Sequence, residues 1–366
     1  MARKLKSDRI LFTAAVLLVC VSVVMVYSAS AALALDRFGQ AYLFLTKQAL
    51  WTALGLAALA VSMRIDYRTY RNEAFIWSLT GVVCLLLVLV LFRAPVNGAR
   101  RWLNFGGLGI QPSELAKMAA VLFTALTLER RMHRIDDLSY SLLPIAIVVG
   151  GMSGLILLQP DLGTAVSLLL VVGTMVFAAG LHYRYLVVTA LAAAPILYLV
   201  IVSAPYRLRR LLAFWDPWAD PLGEGFQIIQ SLIAVGTGGV FGRGLMGGVQ
   251  KLFFLPEPHT DFIYAVIGEE LGLIGTSTVL LCFCVIAWRG VRIAMRAQDV
   301  FGSFLALGVT TMIAVQALVN ISVVLGLLPT KGIPLPLVSS GGSSLLISLL
   351  GVGVLLNVSQ HEANEA

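Results

Sequence analysis

The sequence predicts an all-α, polytopic integral membrane protein of about ten transmembrane helices, with one large extracytoplasmic loop between spans 7 and 8. Three observations predict it. Hydrophobic residues fill 59% of the 366 positions and charged residues only 12%, whereas a soluble chain carries about 25% charged residues. That leaves too little polar surface to cover a globule, so lipid must be the solvent, as the mean hydropathy of +0.91 also requires. Third, the basic residues fall in short clusters between apolar runs. This is the pattern of membrane topology, so the net charge of +7 implies no nucleic acid partner.

The apolar runs place spans at 10–35, 43–63, 74–92, 114–129, 141–158, 163–180, 184–203, 268–288, 302–326 and 339–358. Each is about long enough to cross a hydrocarbon core of ~30 Å at ~1.5 Å per residue. The basic segment Met1–Arg9 leads into an apolar run too long for a signal peptide and lacking a cleavage site, so the first span reads as a retained anchor. The chain, 1–366, reads as a single membrane domain. Cys20, Cys84, Cys282 and Cys284 all lie inside apolar runs. They have neither metal-site spacing nor a disulfide framework, and read as small packing residues.

Alternate connections are rich in arginine: Arg3, Lys4, Lys6 and Arg9; Arg64, Arg68 and Arg71; Arg130, Arg131 and Arg134; Arg184; then Arg289, Arg292 and Arg296. The positive-inside rule makes these cytoplasmic and puts both termini inside. The third connection, 93–113, then falls outside yet carries Arg93, Arg100 and Arg101. The large connection, 204–267, is also outside and carries Arg207, Arg209, Arg210, Arg243 and Lys251. Long loops escape the rule, but the short one does not. Basic residues on the wrong face point to an anionic ligand, a diphosphate being the simplest, with lipid headgroups or neighbouring acids as the alternative partners.

The large loop opens with arginines alternating with apolar residues from Tyr206, and Trp215 and Trp218 flank a proline. Such a segment lies in the membrane interface. The dense glycines from Gly236 to Gly248 include a formal dinucleotide-binding pattern at Gly242-Arg-Gly-Leu-Met-Gly247. No strand precedes it, so the glycines read instead as permitting close approach of backbone to a ligand or helix. Next, Glu257, His259, Asp261, Glu269 and Glu270 crowd the approach to span 8. A carboxylate at Asp261, at a helix N-terminus and near basic residues, is expected to stay ionised at neutral pH. It can then act as a general base or hold a divalent metal. The plainer reading is that Asp261 only caps the helix, a role open also to Thr260 and His259.

Glu114 and Lys117 stand at i and i+3 and can neutralise each other on one helix face. With Lys47 and Asp161 they are ionisable groups at or near membrane depth, which face a cavity or a partner, unless they form helix-locking ion pairs. The last outer loop, Leu328 to Ser344, holds Lys331, three prolines and a run of small residues. It reads as a broken or re-entrant helix entry whose free backbone amides can meet an anion.

These residues carry a specific resemblance. Asn97-Gly-Ala-Arg-Arg-Trp102 with Gln111-Pro-Ser-Glu-Leu-Ala-Lys117, Gln159-Pro-Asp-Leu-Gly-Thr164, Gly225-Phe-Gln-Ile-Ile-Gln-Ser231, Leu255-Pro-Glu-Pro-His-Thr-Asp-Phe262 with Gly268-Glu-Glu-Leu-Gly272, and Gly332-Ile-Pro-Leu-Pro with Ser339-Ser-Gly-Gly-Ser-Ser344 follow one another in order. The chain resembles, nearly end to end, the SEDS family (shape, elongation, division and sporulation), which includes RodA and FtsW. Trp215-Asp-Pro-Trp-Ala-Asp-Pro221, Gln250-Lys251 and Pro329-Thr-Lys-Gly332 are more similar to the FtsW division branch than to the RodA elongation branch. One departure is Ser340, where the family usually has tyrosine.

The resemblance implies a peptidoglycan glycosyltransferase that polymerises lipid II at the outer face of the cytoplasmic membrane, at the division septum, and releases undecaprenyl diphosphate. It also implies a class B penicillin-binding protein and other divisome proteins as partners. In the family the aspartate matching Asp261 is regarded as essential. That carboxylate, directly or through a divalent cation such as Mg2+ or Mn2+, would help deprotonate the acceptor sugar hydroxyl, and no organic cofactor is expected. Arg100, Arg101, Arg210, Lys251 and Lys331 are candidates for the positive charge at the diphosphate, and Glu114, Lys117 and His259 complete the expected substrate-binding set. The rivals are a lipid II flippase, which needs a polar pathway through the bilayer, and a non-catalytic division scaffold.

Overall fold

The computed structural model describes residues 7–94, 100–105, 108–134 and 137–361, and its helices follow the apolar runs. In chain order they are α1 (Arg9–Phe38), α2 (Leu43–Arg64), α3 (Glu73–Leu91), α4 (Pro112–Arg131), α5 (Leu143–Leu158), α6 (Leu162–Ala178), α7 (Tyr183–Val202), α8 (Pro205–Trp215), α9 (Phe226–Gly238), α10 (Ile263–Arg296), α11 (Val300–Val324) and α12 (Gly342–Gln360). Arg3, Lys4, Lys6 and Asn97-Gly-Ala99 lie outside the described residues. Short polar side chains start several helices by accepting their first free amides. Asp8 does this for α1, Asn72 for α3, Asp161 for α6 and Asp299 for α11. Prolines open α4, α5 and α8, where a missing N–H has no helical partner to lose.

Eight of these helices, taking α5 with the turn before it, are long and apolar enough to cross a membrane: α1, α2, α3, α5, α7, α10, α11 and α12. Two more complete the ten. Helix α6 is apolar but only 17 residues long. Helix α4 carries Glu114, Lys117, Glu129, Arg130 and Arg131, yet 16 of its 20 residues are buried, packed against α3, α5, α6 and α11. Neighbouring helices shield Glu114 and Lys117 from lipid, which is where charged groups in a membrane are tolerated, while Glu129, Arg130 and Arg131 stand at the helix end. The bundle is correspondingly apolar outside, with Leu85, Leu191 and Leu281 more than half exposed on its perimeter.

The arginine-rich connections gather at one end. Arg68 pairs with Asp299, Arg71 with Glu129 and Arg130 with Glu73. Asp8 binds Arg289, and its amide donates to Ser359 Oγ, so the start of α1 and the last turn of α12 meet on this face. Asp161, Asp261 and Lys331 lie at the opposite end, after α5, before α10 and after α11.

Three features add to or differ from the sequence expectations. The all-α class holds with one small addition, since Leu103–Phe105 (β1) and Leu108–Ile110 (β2) pair as an antiparallel hairpin, Leu103 opposite Ile110. The large connection carries regular structure of its own, comprising α8, a 3-10 turn at Pro217–Ala219, and α9, with turns from 239 to 262. Span 8 begins at Ile263, not 268, since the buried apolar turn Ile263–Ile267 continues the helix past the two buried glutamates toward its N-terminus.

The glycine-dense stretch does bring backbone against backbone. Helix α10 breaks at Gly272 (φ 65°, ψ −159°), where a Cβ would stand 2.4 Å from the amide nitrogen of Gly242. Across this contact the amides of Arg243 and Gly244 donate to the carbonyls of Glu269 and Glu270, both 3.0 Å, and that of Leu273 to Gly239, 2.9 Å. The broken helix thus satisfies its freed backbone groups internally, as lipid surroundings demand.

Candidate functional site

Two cavities of about 340 Å³ each open at the end opposite the arginine-rich connections. The first is polar, and Asp261, Glu257, Gln111, Gln227, Trp102 and Ser340 are among its lining residues. The second is mainly apolar, walled by side chains such as Val166, Leu170, Leu197, Ile201, Leu211 and Val323 from α6, α7, α8 and α11. Arg101, Arg210, Lys331 and Gly332 line both. Three cationic side chains therefore stand where the polar cavity meets the apolar one.

Asp261 is carried by the segment between Pro258 and α10. Its backbone carbonyl accepts from Asn320 Nδ2 at 2.8 Å. Its neighbours are tied to the loop before α12, Ser340 N donating to the His259 carbonyl at 2.9 Å and Ser339 Oγ donating to the Thr260 carbonyl. The capping role open to it is not the one it takes. Phe262 occupies the cap position of α10, no side chain bonds the first amides there, and Thr260 Oγ1 turns instead to the Glu257 carbonyl. Among the described residues nothing donates to the Asp261 carboxylate. A Cβ on Gly332 would stand 3.0 Å from its Oδ2, so any side chain there would press on the carboxylate.

Burial raises the Asp261 pKa to about 7, reinforced by the nearby charges of Glu257 and Asp161 and opposed by Arg101 and Arg210. The expectation of a fully ionised group at neutral pH is thereby corrected. Desolvation outweighs the basic neighbours, and no helix-terminal amides hold the charge. Such a group is poised to accept a proton near pH 7.

The cations at the junction are incompletely matched. Arg101 Nη2 donates to the Pro160 carbonyl at 2.6 Å and its Nε lies 3.7 Å from Asp161 Oδ2. Arg210 Nε stands 3.5 Å from Glu224 Oε2. Both Nε atoms are buried without a hydrogen-bond partner. Lys331 forms no described ion pair, and burial holds its ammonium below the usual lysine range against the pull of Asp161. Under-satisfied donors converging on one space are what an anionic ligand requires.

The other expected substrate ligands stand elsewhere. Arg100 is exposed and its Nη1 donates to the Leu91 carbonyl at 2.8 Å. Lys251 is buried against Glu270, Nζ to Oε1 2.6 Å, with Ser28 Oγ at 2.9 Å, and lines neither cavity. His259 is buried against the Phe44 ring, centroids 4.4 Å apart, where burial lowers its pKa. Glu114 and Lys117 form the helix-locking pair, Nζ to Oε1 2.8 Å, and Lys117 also donates to Gln316. Of eight expected ligands the fold brings Arg101, Arg210 and Lys331 to Asp261.

Five lining residues beyond the expected ligands, Glu257, Gln111, Ser340, Trp102 and Gln227, all sit inside the quoted motifs. Among the described residues no group of three metal-ligating side chains occurs. Asp261 and Glu257 nonetheless place two carboxylates on one cavity. That fits Mg2+ or Mn2+ in the manner of ions bound by one or two carboxylates plus substrate phosphates.

Comparison with known proteins gives the same assignment throughout. The FtsW/RodA/SpoVE family model, described as a cell cycle protein, matches residues 8–364. A probable peptidoglycan glycosyltransferase FtsW from Geobacter metallireducens is 46% identical over 96% of this chain and 94% of its own. The stage V sporulation protein E of Bacillus subtilis is 44% identical, with 98% of each chain covered. Among solved structures, a chain of a peptidoglycan synthase complex that coordinates polymerization and crosslinking is 34% identical with a TM-score of 0.80, covering 97% of this chain and 98% of that one. The rod shape determining protein RodA of Thermus thermophilus is 29% identical with a TM-score of 0.72 over 99% of both chains. The matches run along nearly the whole length, and the chain belongs to the FtsW/RodA/SpoVE family, the SEDS family.

Proposed function

We infer that this chain is a peptidoglycan glycosyltransferase that polymerises lipid II at the outer face of the cytoplasmic membrane, in the septal, FtsW-like role. The observation that carries the reading is the junction of the two cavities. An uncapped aspartate lies in a polar space, an apolar groove opens beside it, and Arg101, Arg210 and Lys331 stand between them. A lipid-linked sugar diphosphate has the same order of parts: sugar, diphosphate, prenyl chain.

In the proposed reaction the acceptor sugar hydroxyl gives its proton to the Asp261 carboxylate while its oxygen bonds to the anomeric carbon of the donor. The bond from that carbon to the diphosphate oxygen breaks, and undecaprenyl diphosphate leaves with the electron pair. Arg101, Arg210 and Lys331 stabilise the charge that grows on the leaving oxygen. A divalent cation held by Asp261 and Glu257 would supply further charge neutralisation.

The same reading places both termini in the cytoplasm. It takes a class B penicillin-binding protein as partner, supported by the likeness to a synthase complex that couples polymerization to crosslinking. The flippase alternative finds little support in the ionisable residues deepest in the bundle, since Glu114, Lys117 and Gln316 bond to one another. The deciding experiment gives labelled lipid II to the purified, reconstituted chain with and without its partner. Polymer formation lost by about 10²–10⁴-fold in Asp261→Asn supports the assignment, and polymer at the wild-type rate rejects it.

A further inference from the structure

The hydrogen bond that reaches Asp261 comes from a residue outside the cavity. Asn320 lies on α11, 2% exposed, and its Nδ2 donates to two carbonyls, that of Asp261 and that of Ile333, both at 2.8 Å. One amide therefore holds together the segment bearing the aspartate and the loop bearing Lys331 and Gly332. One turn earlier Gln316 grips the same loop, its Nε2 donating to the Pro334 carbonyl at 3.0 Å and to Ser344 Oγ at 3.1 Å. Other bonds between the segments, from Ser339 and Ser340, stop at Thr260 and His259.

Asn320 also carries a cost. Its Oδ1 is buried without a partner, and an unsatisfied buried acceptor is unfavourable. Stability alone would be served as well by an apolar side chain of the same shape with its surroundings adjusted. What such a side chain would lack is the pair of donors that sets one segment against the other.

We propose that Asn320 is a positioning residue for glycosyl transfer, holding the Asp261 carboxylate in register with the cations of the facing loop. The proposal rests on Asp261 being the base. A displacement of about 1 Å at a reacting group costs roughly 10²-fold in rate, so loss of the clamp should appear in turnover rather than in substrate affinity.

The test uses the full chain in proteoliposomes with lipid II, measuring kcat, KM, the pH profile and the thermal midpoint of each preparation. Asn320→Leu removes the donors, and Asn320→Asp replaces them with acceptors. Asn357→Leu is the control, because Asn357 makes a similar clamp at the other end, accepting from Tyr67 N at 2.8 Å and donating to the Met63 carbonyl at 2.9 Å. Both Asn320 variants are expected to lose about 10–100-fold in kcat per folded molecule, with KM within about threefold and a moved pH midpoint. Asn357→Leu should lower the thermal midpoint and leave kcat per folded molecule and the pH midpoint alone.

Wild-type kcat and pH midpoint in the folded Asn320 variants overturn the proposal, as does a loss of rate that only follows the loss of folded protein. If neither variant folds, Asn320→Gln decides. Its amide is displaced by one methylene, so a several-fold lower kcat or a moved midpoint supports the clamp, and wild-type values for both reject it. Asp261→Asn runs in parallel. If it retains activity the base assignment itself fails; if it is inactive while the Asn320 variants are normal, only the positioning role fails.

Discussion

Lys251 and Glu270 form an ion pair sealed inside the protein, Nζ 2.6 Å from Oε1, with side chains 5% and 0% exposed. Ser28 Oγ bonds both partners, and the Met246 amide donates to Glu270 Oε2 at 3.1 Å. The pair thus joins α1, the glycine-dense segment and the first part of α10. Lys251 is a strut beneath the site rather than a ligand within it.

Removing one partner of such a pair leaves an uncompensated buried charge, at a cost of about 3–5 kcal/mol. Lys251→Met is therefore expected to lower the denaturation midpoint sharply in detergent. Adding Glu270→Gln should recover much of the loss, because the stranded charge is gone. KM for lipid II in the fraction that folds should match wild type. A raised KM with unchanged stability would return Lys251 to the substrate site.

The raised pKa of Asp261, about 7, fixes the sign of a pH effect. A base works as its carboxylate, so kcat/KM should climb as pH rises through about 7 and level off above it. Burial is the main cause of the shift and the Glu257 charge the next. Glu257→Gln should therefore lower the pKa and move the rising limb to lower pH. Stability runs the other way. A carboxyl whose pKa is raised by folding favours the folded state when protonated, and that contribution fades between its ordinary value near 4 and about 7. Asp261→Asn should accordingly unfold at a higher temperature than wild type at pH 8, with the difference vanishing near pH 4.

The three shared cations should act on the diphosphate and Arg100 should not. Hydrogen bonds to charged groups contribute about 1.5–3 kcal/mol, roughly 10- to 150-fold. Arg101→Met, Arg210→Met and Lys331→Met are each expected to reduce kcat/KM by about that factor, and to weaken binding of undecaprenyl diphosphate measured directly. Arg100→Ala should stay near wild type in both. Equal losses at Arg100 and Arg101 would mean the junction between the cavities is not the diphosphate site.

Adjacent Arg100 and Arg101 mark the limit of what the sequence disclosed. The spans, the gathering of the arginine-rich connections at one end and the close approach of the glycines are legible because each is written locally, in apolar length, basic clusters or glycine density. Which of two consecutive arginines enters the cavity depends on the β1–β2 hairpin that follows them, and no charge pattern records that. Lys251 looked like a surface cation because its partner, Glu270, lies 19 residues on and meets it only after the chain folds back. The start of span 8 is obscured because the apolar Ile263–Ile267 is short and follows directly on the polar segment that holds His259 and Asp261. A signal for the clamp was present and passed over. Gln316 and Asn320 are amide side chains at i and i+4 in a span whose other polar residues are only serines and threonines, and such residues in a span face a partner.

The pair Glu114–Lys117 tests whether depth in the bundle means transport or packing. Both side chains are almost wholly buried, 4% and 3% exposed, and Lys117 reaches on to Gln316, which holds the loop before α12. If the pair is structural, Lys117→Met alone should destabilise by about 3–5 kcal/mol, and Glu114→Gln in the same chain should restore much of it. The double variant should then polymerise lipid II at a rate set by how well Gln316 still holds its loop, which we expect to be within about tenfold of wild type. A proton- or ion-coupled carrier predicts the opposite pairing of results, since its double variant would be stable yet unable to translocate labelled lipid II across vesicles. Measuring stability, polymer and translocation on one preparation separates the two, because only the structural role ties recovery of activity to recovery of fold.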